Sequence, residues 1–103
     1  MILQPIHGRD KMTKAYKGTV GLLIEVETGV DLSDATEVKL KVKKPSGTTV
    51  EWAGVVSGTK IQYTTQAGDL DESGLYLIQA YVVKPTGTYL GETARMHVFD
   101  EFE

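Results

Sequence analysis

Leu70-Asp71-Glu72-Ser73-Gly74-Leu75-Tyr76-Leu77-Ile78-Gln79-Ala80-Tyr81-Val82-Val83 decides the fold. An acid stands four residues before Tyr76 and a glycine two before it, at the head of a long apolar run. That is the pattern of a tyrosine corner, in which the phenol hydroxyl bonds back to upstream backbone as a strand enters a sandwich. Two residues after that tyrosine, antibody domains carry a core cysteine. Here the position is Ile78, an apolar substitute. The stretch therefore predicts an all-β, immunoglobulin-like antiparallel sandwich, with Glu72, Gly74 and Tyr76 as its structural corner.

The same residues admit a metal reading. Asp69-x-Asp71-x-Ser73-Gly74 has the spacing that opens an EF-hand loop, whose acids precede a glycine turn. The twelfth position of such a loop needs a bidentate Glu, and here it is Ala80, with no helical pattern on either side. The corner accounts for the segment better. Asp31, Ser33 and Asp34 likewise read as turn and cap residues in preference to a calcium site.

Outward from this stretch the recurring period is two. Val20, Leu22, Ile24 and Val26 alternate with smaller or charged neighbours; Val38, Leu40 and Val42 with Lys39, Lys41 and Lys43; Ala94, Met96 and Val98 with Thr93, Arg95 and His97. Alternation of this kind turns one side of each strand to a core and the other to water. Lys44-Pro45-Ser46-Gly47-Thr48 and Lys84-Pro85-Thr86-Gly87-Thr88 are nearly the same five residues. Pro presets the first central turn position and Gly takes the left-handed one, so both predict a type I turn closed by a glycine bulge. Ser57-Gly58 and Thr28-Gly29 mark further turns. About seven strands result, at 2–7, 19–27, 36–44, 48–56, 59–65, 74–83 and 88–99, in one domain over 1–103.

Composition narrows the chemistry. The chain has 103 residues, 41% hydrophobic and 24% charged, with a net charge of −3. A domain of this size buries roughly 60–68% of its unfolded surface, enough for one core. Mild acidity argues against a generic nucleic-acid binder. There are no cysteines, hence no disulfide, thiolate metal site or thiol nucleophile. Met1 to Ile6 is too short and too interrupted for an export signal, and no apolar run approaches the ~20 residues of a membrane span. His7 and His97 are the only histidines, and His97 falls on the solvent side of its strand. Ser33, Ser46, Ser57 and Ser73 all sit in turns, where hydroxyls cap backbone. No nucleophile elbow or phosphate-cradling glycine loop is present. The reading is a non-enzymatic domain with no catalytic residues, no cofactor and no metal.

Two features exceed what a core needs. If Tyr76, Ile78, Ala80 and Val82 face inward, Leu75, Leu77, Tyr81 and Val83 face outward. Either the stems of Lys39, Lys41, Lys43 and Arg95 cover them, or they form an apolar stripe for assembly. Leu77, Tyr81, Val83 and Phe99, rimmed by Lys39, Lys41 and Arg95, are the candidate interface. The second feature is a basic loop at 8–18, with Arg9, Lys11, Lys14 and Lys17 around Met12 and Tyr16, against an acidic tail at 100–103. These ends could meet between neighbouring copies.

Gly18 to Val26, Asp31-Leu32-Ser33-Asp34-Ala35 and Val42-Lys43-Lys44-Pro45-Ser46-Gly47 resemble the immunoglobulin-like domain of phage baseplate upper proteins. Ile61-Gln62-Tyr63, Asp69-Leu70-Asp71 and Gly74-Leu75-Tyr76 through Tyr81 are similar to that family too, so the likeness spans about residues 18–98. It implies a non-enzymatic structural protein of a phage or prophage tail or baseplate. Its partners would be other phage structural proteins and itself as a homo-oligomer, without nucleic acid or membrane. Its place would be the virion, assembled in the host cytoplasm. Family members often continue into fibre or receptor-binding regions, and the sequence ending at Glu103 leads us to expect no direct host-receptor role. The alternative is an immunoglobulin-like module holding cell-surface carbohydrate on Trp52 and Tyr89.

Overall fold

The structure, a computed structural model, describes residues 15–103 together with the backbone of Ile2–Gln4. Its strands are β1 (Ile2–Gln4), β2 (Ala15–Tyr16), β3 (Leu23–Glu27), β4 (Glu37–Lys43), β5 (Thr49–Ala53), β6 (Val55–Ser57), β7 (Lys60–Thr64), β8 (Gly74–Lys84), β9 (Gly87–Leu90) and β10 (Ala94–Phe99). They form two sheets, one ordered β1-β3-β7-β6 and the other β2-β10-β8-β4-β5, with β9 also on β8. All pairings are antiparallel except that of β2 with β10. The fold is the expected all-β, immunoglobulin-like sandwich.

The two-residue period sorts side chains as read. Ile24, Val26 and Ile61 of the smaller sheet meet Leu40, Val42, Trp52, Ile78, Ala80 and Met96 of the larger, and Leu32 and Leu70 close the ends from loops. Tyr76 is fully buried, and its hydroxyl donates to the Glu72 carbonyl at 3.0 Å and accepts from the Glu72 N–H at 3.1 Å. The tyrosine corner is therefore formed. Gly74 enters it at φ 125°, where a Cβ would stand 2.9 Å from Pro45 Cβ, so the position needs glycine twice over.

Four expectations about strands are corrected. The predicted strand 48–56 is two strands in different sheets, because the chain crosses between sheets at Gly54. The predicted strand 88–99 is β9 and β10, both on one edge of β8. Leu90 faces Tyr81 and Ala94 faces Ile78, so three residues, 91–93, span the place of two. This is a β-bulge, held by the Gly91 N–H on the Ala80 carbonyl (3.0 Å) and the Gln79 side-chain amide on the Gly91 carbonyl (3.0 Å). Predicted strand 19–27 begins only at Leu23, and Val20 is exposed. There Gly21 donates to the Thr65 carbonyl and Thr65 to the Leu22 carbonyl, and the hydroxyl of buried Thr65 also accepts from the Leu22 N–H, adding a side-chain clasp to the backbone bonds. Finally, β2 was not expected, since two residues carry no period. Residues 5–7 of the first predicted strand lie outside the described residues.

The two similar turns close differently. In the first, Lys44 donates to the Thr48 carbonyl and Gly47 to the Lys44 carbonyl, both at 2.8 Å, with Gly47 at φ 96°. That matches the expected bulged turn. In the second, Lys84 pairs directly with Gly87, leaving a two-residue loop, Pro85-Thr86, and no bulge. The glycine joins the ladder there instead.

Candidate functional site

The acids that suggested metal are engaged in structure. Asp69 accepts hydrogen bonds from the Tyr63 hydroxyl and from the Gln66 N–H, the latter at 2.6 Å. Burial, reinforced by Asp69, pushes the Tyr63 phenol far above the ordinary tyrosine range. Asp71 lies 2.7 Å from the ammonium of Lys44, a buried lysine. The hydrogen bond to Lys44 holds the Asp71 carboxyl below the usual carboxylate range, and the same bond raises Lys44. Asp31 accepts from the Ser33 N–H at 2.9 Å and from its hydroxyl at 3.1 Å, the predicted turn, and Asp34 pairs with Lys84 at 3.3 Å. Among the described residues no three His, Cys, Asp or Glu side chains converge as a metal-holding group. His97 is exposed, with its ring 4.3 Å from that of Phe99; His7 lies outside the described residues.

The outer face of the larger sheet gathers the candidate interface residues. Strand register sets Lys43 and Arg95 on either side of Leu77, Lys41 beside Gln79, and Lys39 beside Tyr81. Beside Leu77 and Gln79 lies an open concavity of about 610 Å³, lined from β4 and β5 by Lys41, Lys43, Val50 and Glu51 and from the other side by Thr93, with Arg95 outside its lining. Lys39 and Lys41 both sit over the Tyr81 ring, 4.8 and 4.7 Å from its centre. Glu51 at 3.0 Å and Glu37 at 3.4 Å both pair with Lys39, and the Glu51 bond above all keeps its ammonium above the usual lysine range. Lys41, Lys43 and Arg95 form no ion pair among the described residues.

The face is one surface, but the expected apolar stripe is not continuous. Gln79 interrupts it between Leu77 and Tyr81, the lysines roof Tyr81, and Val83 lies at the far end opposite Glu37. Phe99 lies at the other end, packed on His97 and on Tyr16 at 6.2 Å. Sequence reasoning left Lys43, Gln79, Thr93 and Glu51 out of the interface. The parity that selected Leu77 and Tyr81 places Gln79 on the same face, so that residue was findable. Glu51 and Thr93 depend on register.

Other expectations are corrected. Trp52 is buried and stacked on Tyr63, ring centres 4.8 Å apart, so it cannot serve as a carbohydrate platform. Tyr89 is half exposed, beside a second groove of about 410 Å³ lined by Val30, Val82 and Leu90. The cation of that groove, Lys84, is already held by Asp34 and by the Asp31 carbonyl at 2.6 Å. The described end of the basic loop, Tyr16 and Lys17, meets the acidic tail within one chain. Lys17 pairs with Asp100 at 3.6 Å, and the Tyr16 hydroxyl donates to the Glu103 main-chain oxygen at 3.1 Å. Arg9, Lys11, Met12 and Lys14 lie outside the described residues.

No family model and no curated protein matches the chain. Among solved structures it is similar to the crystal structure of CopC from Methylosinus trichosporium OB3b, at 13% identity over 87% of each chain with a TM-score of 0.59. The likeness is one of fold. The neighbour is CopC and points away from the phage tail or baseplate role implied by the resemblance, so that role is withdrawn.

Proposed function

We propose that the chain is a non-catalytic recognition module that docks an acidic protein partner on the outer face of its larger sheet. One observation carries this reading. Three cations, Lys41, Lys43 and Arg95, flank Leu77 and Gln79 without an ion pair among the described residues, and the acid on the concavity, Glu51, is held by Lys39, in a chain whose net charge is −3. Charge of one sign concentrated against the overall balance steers a complementary surface, and burial of Leu77 rewards the contact. Titrating poly-L-glutamate into the isotope-labelled chain should shift the backbone amides of residues 41–43, 77–79 and 93–95. Lys43→Glu combined with Arg95→Glu should abolish those shifts while leaving the melting temperature within a few degrees of wild type. Shifts confined to other surfaces, or none at millimolar ligand, would exclude the reading.

A further inference from the structure

The relief of the sheet face between β4 and β10 says which acidic partner it fits. Lys41 and Lys43 stand on β4 and Arg95 on β10, with β8 between them. The two walls are thus two strand spacings apart, roughly 10 Å at the backbone. Side chains rising from both walls narrow the space above Leu77 and Gln79 further. A helix is about 10–12 Å across with its side chains and does not descend into that trough. A single extended chain does.

We infer that the partner segment is an extended peptide with carboxylates at every second residue, lying along β8 over Leu77 and Gln79. Lys41 and Lys43 are two residues apart on one strand, so their side chains leave the backbone roughly 6.6 Å apart, the same interval as side chains i and i+2 of an extended chain. The Lys41 ammonium leans onto the Tyr81 ring and must swing back to meet a carboxylate. Carboxylates at i and i+2 meet the lysine wall, and the apolar side chain between them turns to Thr93 and the aliphatic stem of Arg95. A single-stranded nucleic acid fits less well. Such ligands stack bases on aromatic faces, and the Tyr81 face is already covered by Lys39 and Lys41.

This inference rests on the docking reading above, and the test separates the two. Four probes are titrated against the whole chain in low salt: Val-Glu-Val-Glu-Val-Glu-Val, its isomer Glu-Val-Val-Glu-Val-Val-Glu, an alanine-rich helical peptide with Glu at i and i+4, and a ten-residue oligothymidylate. The alternating peptide should bind at least tenfold tighter than the other three, and Lys43→Gln should remove most of that margin. Equal binding of the three peptides at residues 41–43 and 77–79 would overturn the extended-chain inference and leave the docking reading standing. A tighter helical peptide would do the same. Tighter oligothymidylate, or no binding of any probe at millimolar concentration, would overturn both.

Discussion

Tyr76 shows how much one side chain decides. Its ring fills the core while its hydroxyl serves both polar groups of one backbone residue, Glu72. Tyr76→Phe keeps the ring and leaves that N–H and carbonyl to find other partners in a half-buried corner. We expect a loss of about 1.5 kcal/mol in urea unfolding with an unchanged slope. A loss below about 0.3 kcal/mol would mean that water replaces the hydroxyl at little cost. The neighbouring acids illustrate the opposite lesson. Asp69 and Asp71 match a metal-loop spacing, yet each is bound to a partner elsewhere in the chain, Tyr63 with Gln66 and Lys44 respectively. Spacing along the chain ranks candidates, and three-dimensional neighbours assign them.

At the scale of elements, the crossing at Gly54 joins the two sheets without a loop. A Cβ there would lie 2.3 Å from Cγ2 of Ile61, a fully buried residue. Gly54→Ala should therefore destabilise by about 1–3 kcal/mol, as overpacking of a tight core does. Thermal unfolding of the variant measures it, and wild-type stability would show that β6 and β7 can separate freely. The bulge at 91–93 is a second such device. It re-aims the chain so that one edge of β8 is shared by β9 and β10 and sets Thr93 at the margin of the concavity.

For the molecule as a whole, the Lys44–Asp71 pair fastens the end of β4 to the loop that carries the chain from the smaller sheet back to β8. Asp71 titrates lower folded than unfolded, so its contribution is present above about pH 4 and is lost as pH falls through the lowered value. Lys44 titrates higher folded than unfolded, so its contribution is present below about pH 10 and is lost as pH rises through the raised value. Asp71→Asn should lower the melting temperature throughout the neutral range, and its curve should rejoin wild type in strong acid. Curves that run parallel down to about pH 2 would assign the acid limb to other carboxylates. Lys44→Met should cost less than Asp71→Asn, because it leaves no buried ammonium without its carboxylate.

The sequence by itself determined the fold class, the corner at Glu72 to Tyr76, the core positions of the alternating strands apart from Val20, and the outward set Leu75, Leu77, Tyr81 and Val83. Those features follow from a two-residue period and from turn chemistry, which are local. Tertiary structure alone decided where the chain changes sheet, that β9 and β10 share an edge, that Trp52 is core and that Lys17 and Asp100 meet inside one chain. It also decided which cations are neutralised: Lys39 is, while Lys41, Lys43 and Arg95 are not paired among the described residues. Charge pairing depends on strand register, and register is a relation between strands that no single strand's period contains.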